Sequence, residues 1–214
     1  HYINIYRNIK KEKRAVIADL FVIGDDFLKT PVLESERVIL RPLTVNDAKT
    51  AFNNWTSDNR VTKYMRYNSH TSLDDTIEWL KMVEYAENSD KQYDWGFIDK
   101  KAGTLFGSGG LVWNDDEQMY EIGYNCMFDY WHKGFTTEIA AVILNFAKNA
   151  LKQTKIYGCH AVENVNSGKV MIKNGFVPTG YTTVTNFDGT TKKARTYICL
   201  LYTSPSPRDY AASR

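Results

Sequence analysis

The chain has few cysteines, few prolines and no apolar run long enough to cross a bilayer. Its three cysteines, Cys126, Cys159 and Cys199, are odd in number and widely spaced. That excludes a disulfide framework and fits a reducing, cytoplasmic compartment. No stretch approaches the roughly 18–20 apolar residues of a spanning helix, and no signal peptide is read in it. Charge of one sign is lacking too, because 27 Lys and Arg stand against 25 Asp and Glu for a formal net charge of +2. Such a balance argues against nucleic acid or a membrane surface as partner. His70, His132 and His160 show no ligand spacing, so no metal is expected. What remains is ordinary globular composition over 214 residues, enough for one domain with a sizeable core.

The two ends differ from the middle. Residues 1–29 carry a basic run from Lys10 to Arg14 and then an apolar stretch. They read either as an extra helix or targeting arm, or as sequence foreign to the domain. At the other end, residues 199–209 resemble the in-frame translation of a sequencing-library adaptor, and Pro205 and Pro207 argue against regular structure there. The expected organisation is an extension over 1–29, one domain over 30–198 and a non-native tail over 199–214. Cys199 to Tyr202 remain free to extend the last strand.

Between the ends, the pattern alternates between strand and helix signals. Residues 37–41 form a short β-rich run closed by Pro42. Thr44 and Asp47, then Ser72 and Asp75, have the spacing of capping boxes. Ala48, Ala51, Phe52 and Trp55 follow the first at helical spacing, and Ile77, Leu80 and Val83 follow the second. Strands are expected over 93–98, 105–113 and 119–128. In the third, Tyr120, Ile122, Tyr124, Cys126 and Phe128 make the more apolar face and should meet the core. Ile139, Val142, Ile143, Phe146, Ala147 and Ala150 form the stripe of an amphipathic helix. A strand over 155–162 and a short helix capped by Ser167 and ended at Asn174-Gly175 come next. A hairpin turning at Asp188-Gly189 closes the chain. The order, βααβββαβαββ, gives a mixed α/β fold with no internal repeat. Gly107-Ser-Gly-Gly110 lacks the Lys-Ser/Thr of a phosphate loop and reads as a bulge or a close backbone approach.

Two segments carry chemistry. From Tyr120 a strand runs into Trp131-His-Lys-Gly-Phe-Thr-Thr137 and straight into a helix. A helix start offers about four unpaired N–H groups and roughly half a positive charge. With Gly134 to admit a ligand and Thr136 and Thr137 as hydroxyl donors, this start suits a pyrophosphate, although an ordinary strand–helix turn would look similar. The second segment places Asn164 and Ser167 just after a strand. Asn164 there could hold an amide of a bound ligand, or both residues could serve only as turn and cap.

Together these segments resemble the GCN5-related N-acetyltransferases, and within them the RimJ/RimL-type branch. The resemblance rests on Glu36-Arg-Val-Ile-Leu-Arg-Pro42, Glu121-Ile-Gly-Tyr124, Tyr130-Trp-His-Lys-Gly-Phe-Thr-Thr-Glu138, and Asn164-x-x-Ser167 with Lys173-Asn-Gly-Phe176. It spans about 32–198. It implies a twisted, mostly antiparallel sheet with helices on both faces and acetyl-CoA as co-substrate. The pantetheine arm would enter where the strand over 119–128 splays from that over 155–162, against Met127, Phe128 and Asn164. The pyrophosphate would sit on Lys133, Gly134, Phe135, Thr136 and Thr137. Thr136 departs from the Gly or Ala frequent in the family, and Met171 stands where many relatives carry a general-acid Tyr.

The resemblance further implies direct acetyl transfer to a primary amine, either a peptide N-terminus or a small molecule. Glu121 is the candidate general base and Ser167 the candidate acid for the departing thiolate. A backbone N–H on the splayed strand, with Met127 the candidate, would polarise the thioester oxygen. The aromatic stretch 59–71 is expected to wall the acceptor site, with Trp55, Tyr64, Tyr67 and His70 as its contacts. A monomer or a homodimer is compatible with the sequence. A non-catalytic acyl-CoA-binding module of the same fold is the alternative.

Overall fold

The computed structural model describes residues 28–201. The expected N-terminal arm up to residue 27 and the tail from residue 202 lie outside the described residues. Eight strands form one sheet: β1 Leu33–Glu34, β2 Val38–Arg41, β3 Gln92–Asp99, β4 Leu105–Asn114, β5 Met119–Cys126, β6 Lys155–Ala161, β7 Phe176–Thr185 and β8 Thr191–Leu200. Their order is β1-β2-β3-β4-β5-β6-β8-β7. Every pairing is antiparallel except β5 with β6. The expected strands all form, and the two-residue β1 is an addition at the sheet edge.

The helices are α1 Ala48–Ala51, which widens into a π-turn over Phe52–Thr56, then α2 Asn59–Thr62, α3 Leu73–Ala86, α4 Phe135–Asn149 and α5 Val165–Lys173. The second capping box is made as its spacing predicts. Asp75 N–H donates to Ser72 Oγ at 3.2 Å, and Ser72 N–H donates to Asp75 Oδ2 at 3.0 Å. At the first, Thr44 N–H donates to Asp47 Oδ2 at 2.9 Å, and Arg41 clamps the same carboxylate through both terminal nitrogens.

The sheet has two covered faces. On one, α4 packs Ile139, Ile143, Phe146 and Ala147 onto Tyr93, Trp95, Phe106, Leu111, Tyr120 and Ile122. The apolar face expected for β5 is thus the core face: Tyr120, Ile122 and Cys126 are buried and Tyr124 is partly buried against them. On the other face, α1–α3 bring Ala48, Ala51, Trp55, Leu80 and Val83 onto Leu43 and Leu105.

Trp55 corrects an expectation here. It is fully buried in this second cluster, with no hydrogen bond to Nε1, and cannot wall an acceptor site. Its helical spacing from Ala48 and Ala51 puts it on the same inward stripe. A second correction concerns the cap of α5. Asn164 is the N-cap, its side-chain oxygen accepting from Ser167 N–H at 3.3 Å, and Ser167 lies one turn in. Gly175, at φ +80°, ends that helix as expected.

The glycines of β4 mark close approach. The β4–β5 register is unbroken, but the β3–β4 register shifts between Phe97 and Ile98, leaving Phe106 unpaired just before Gly107, so an irregularity does lie on the β3 side. A Cβ on Gly107 or Gly109 would fall 2.3 Å from the carbonyl oxygen of Asn125 or Gly123. At the far end, Cys199 is buried and paired with both Ile156 and Phe176, so the last strand continues past residue 198.

Candidate active site

The pairing of β5 with β6 shapes the site. The two strands run parallel and share one register pair, Glu121 with Tyr157. Past it, β5 continues to Cys126 and β6 to Ala161 without pairing, and a gap opens between them. Strand edges in the gap carry backbone groups that only a ligand or water can satisfy. Which groups these are follows from register. Met127 N–H donates to Phe106 O at 2.7 Å, on the β4 side. By the alternation of an antiparallel pair, the N–H groups of Tyr124 and Cys126 then point away from β4, toward the gap. The Met127 N–H is therefore taken, and the N–H groups that face the gap are those of Tyr124 and Cys126. Phe128 also moves out of the site. Its ring is exposed, lies 5.0 Å from Trp131 and carries the Arg60 guanidinium at 4.1 Å.

The gap leads to the start of α4. Gly134, its N-cap, is left-handed at φ +82°, a conformation that glycine adopts without strain. Glu138 N–H is the first to bond back within the helix, to Gly134 O, which leaves the N–H groups of Phe135, Thr136 and Thr137 without intrahelical acceptors. Gly134, Thr136 and Thr137 line the cavity with Lys169 and Lys173. The side chains of two expected contacts point elsewhere, the Phe135 ring buried against Phe106 and Tyr130 and Lys133 exposed beside the Tyr130 ring, while the Phe135 N–H stays among the free donors.

Arg37 braces this loop. It donates to Glu138 Oε2 from Nε at 2.7 Å and to Lys133 O from Nη1 at 3.2 Å, and it lies over the Phe135 ring at 4.3 Å. Burial alone would raise the Glu138 carboxyl. Hydrogen bonds from Ser35 and from the Arg37 backbone and side chain outweigh it and hold the group below its ordinary value. The opening motif and the loop motif are thus one physical unit.

One cavity of about 550 Å³ runs from the start of α4 through the gap and past Glu121 to the aromatic stretch 59–71. Glu121 Oε1 accepts from Arg66 Nη2 at 2.8 Å and from the Cys159 thiol at 3.3 Å, while Oε2 accepts from Asn114 Nδ2 at 3.0 Å. Burial, reinforced by the Glu121 charge, pushes the Cys159 thiol up to about 12, which makes it a donor and not a nucleophile. Tyr64, Tyr67 and His70 line this cavity as expected. Burial raises the Tyr67 phenol and lowers the His70 imidazole, whose Nδ1 lies 2.7 Å from Thr76 Oγ1. Trp79 stands 6.2 Å from His70 and joins the wall.

The GNAT acetyltransferase domain model matches residues 37–177. The chain belongs to the GNAT acetyltransferase family. The N-acetyltransferase YoaA of Bacillus subtilis (strain 168) is 26% identical over 151 residues, covering 70% of this chain and 85% of that protein. A GNAT-family acetyltransferase from Bacillus anthracis superposes with a TM-score of 0.68 and 24% identity, over 79% of this chain and 98% of that one. The microcin C7 self-immunity acetyltransferase MccE, solved with acetyl-CoA and AMP, superposes with a TM-score of 0.68 and 13% identity, over 78% and 94% of the two chains.

Within this GNAT domain, Asn164 and Ser167 face the gap from α5. The Asn164 oxygen is spent on the cap, which leaves its amide N–H₂ for a ligand. Because Asn164 does the capping, the Ser167 hydroxyl is released from it and instead lies 3.3 Å from the Tyr124 hydroxyl. Sequence reasoning assigned Tyr124 to the core and passed over Arg66, Trp79 and Asp94, all of which line the cavity. An arginine inside the aromatic stretch 59–71 was the available signal for the first. Among the described residues no group of three or more His, Cys, Asp or Glu could hold a metal ion, and no helix is long and apolar enough to cross a membrane.

Proposed function

We propose that this acetyltransferase moves the acetyl group of acetyl-CoA to a primary amine by direct attack. One observation carries the reading: the β5–β6 gap opens on one side to the free N–H groups of α4 and on the other to Glu121 and its cavity. A pyrophosphate on the α4 start, held by Gly134, Thr136 and Thr137, would run its pantetheine arm past Asn164 into the gap. The thioester would then lie beside Glu121. MccE, which shares the fold, is described with acetyl-CoA bound, and this supports the choice of donor.

The chemistry follows from the groups present. Glu121, directly or through one water, takes a proton from the acceptor ammonium; Oε2 accepts from Asn114 and has a further lone pair for it. The neutral nitrogen attacks the thioester carbonyl, and the Tyr124 or Cys126 N–H stabilises the oxygen as charge gathers there. As the C–S bond breaks, the proton that the attacking nitrogen must still lose passes through Ser167, beside Tyr124, to the departing thiolate, leaving the neutral amide, free CoA thiol and a restored Ser167 hydroxyl. The acceptor is a peptide N-terminus or a small amine. The test is release of free CoA thiol on adding a panel of amines to the full chain with acetyl-CoA. Release should require an amine. Tight acetyl-CoA binding with no amine-dependent release would instead establish a binding module.

A further inference from the structure

The cavity beside Glu121 has a floor that its own protein does not fill. Asp94 on β3 pairs with Gly110 on β4, and Gly110 with Gly123 on β5, so the three form one row across the sheet. The row beside it is Gln92, Val112 and Glu121. Cross-strand partners share a face, so Asp94 and Glu121 face the same cavity. Between them the floor is bare. Gly110 must be glycine, because a Cβ there would overlap the Tyr93 carbonyl oxygen. Gly123 is different: a Cβ there would meet nothing within 4 Å. No packing requires glycine at Gly123, and the space above it stays open.

Two groups beside that space can accept from a ligand, while the nearby Arg66 guanidinium is engaged by Glu121. Asp94 receives one hydrogen bond, from Gln92 Nε2, and no basic side chain among the described residues pairs with it. Burial, opposed by that bond and reinforced by the charge of Glu87, pushes its carboxyl up to about 6. On the next row Asn125 Oδ1 is buried and has no donor among the described residues. Trp79 and Tyr67 overhang from the helical side, and aromatic faces attract cations. Glu121, by contrast, is already balanced by Arg66.

We propose that this trough holds a second cationic group of the acceptor, with Asp94 as its counter-ion, so that the acceptor is a diamine and not a simple monoamine. The proposal rests on the amine-acetylation reading above. Two inter-strand spacings separate Asp94 from Gly123 at the gap, so the two nitrogens should lie roughly 10 Å apart. A cation there would pair with the half-buried Asp94 carboxylate. Asp94 would act on affinity and choice of acceptor, not on the bond-making step.

The full chain is titrated calorimetrically with heptane-1,7-diamine and with heptylamine, and thiol release from acetyl-CoA is followed with each. The expected result is at least about tenfold tighter binding and higher kcat/KM for the diamine. Asp94→Asn, which keeps an acceptor for Gln92, should erase that preference while changing the monoamine by less than about twofold. Gly123→Val, on a strand position with room for a side chain, should weaken both amines without lowering the melting temperature. Equal handling of the two amines by wild type, or an unchanged preference in Asp94→Asn, overturns the proposal. Preferential diamine binding that Asp94→Asn abolishes, with no thiol release, would sink the acetylation reading and leave the trough standing. Thiol release at equal efficiency with both amines would do the reverse.

Discussion

The two faces of the sheet solve different problems with the same strands. The face under α4 is dry and aromatic: Phe146 meets Tyr93 and Trp95 edge-on at 5.3 and 5.2 Å, and Phe106 stacks on Tyr130 at 4.1 Å. The face under α3 has a packed end, around Trp55 and Leu80, and an open end with Glu121, Arg66, Asp94 and two floor glycines. One face is filled and holds the fold. The other leaves carboxylates and bare backbone where close packing would have been more stabilising. Real proteins break the rules of packing and polar satisfaction mostly at functional sites, and here the breaks gather on one face.

The largest contrast should come from truncating one aromatic on each face. Phe146→Ala should cost about 3–5 kcal/mol in denaturant unfolding, since it empties the centre of the ring cluster. Tyr67→Ala, at the cavity wall, should cost about 1 kcal/mol or less and instead weaken the acceptor. Similar losses from both would erase the distinction between the faces.

The cofactor loop belongs to both faces because it starts α4 and lines the gap. Gly134→Glu should remove acetyl-CoA binding, by several kcal/mol, through a like charge beside the pyrophosphate. The left-handed φ adds about 1–2 kcal/mol of strain to any substitution there, so affinity is to be measured by calorimetry on protein shown to be folded. Unchanged affinity would move the anion site elsewhere.

Arg37→Ala gives a smaller effect with a pH signature. The Arg37 side chain is 42% exposed, so the ion pair with Glu138 should contribute only about 1 kcal/mol. The folded-state pKa of Glu138 lies below the ordinary glutamate value of about 4.3. Its contribution is therefore present above that ordinary value and fades as pH falls through the lower folded value. Melting temperatures of wild type and Arg37→Ala should differ at pH 7 and converge in acid.

Much of this was legible in the sequence, for a physical reason. Periodicity reports which way a side chain points, so the inward face of β5, the stripe of α4 and the turns at Gly175 and Asp188-Gly189 emerge from it. Periodicity does not report depth: Trp55 shares its stripe with Ala48 and Ala51, and only packing shows that the stripe leaves no surface for a ligand. Nor does it choose between cap-competent neighbours. Asn164 and Ser167 both qualify, and the choice decides whether the Ser167 hydroxyl is free for chemistry. Register is also invisible in one strand, and it hands the Met127 N–H to Phe106. Asp94 stands out in no single-strand pattern, because its open surroundings come from the glycines that β4 and β5 place beside it.

The most direct test of the account is Glu121→Gln. Glutamine keeps the shape and removes the base, but its N–H₂ can no longer accept from Asn114, so a stability loss of about 1–3 kcal/mol is expected and the fold is checked first. On folded protein, kcat for amine-dependent thiol release should fall by roughly 10²–10⁴-fold, with acetyl-CoA affinity unchanged and the acidic limb of the pH–rate profile altered. Nearly full kcat at pH 7, with the pH dependence of wild type, would contradict the account and leave alignment of the reactants as the source of rate.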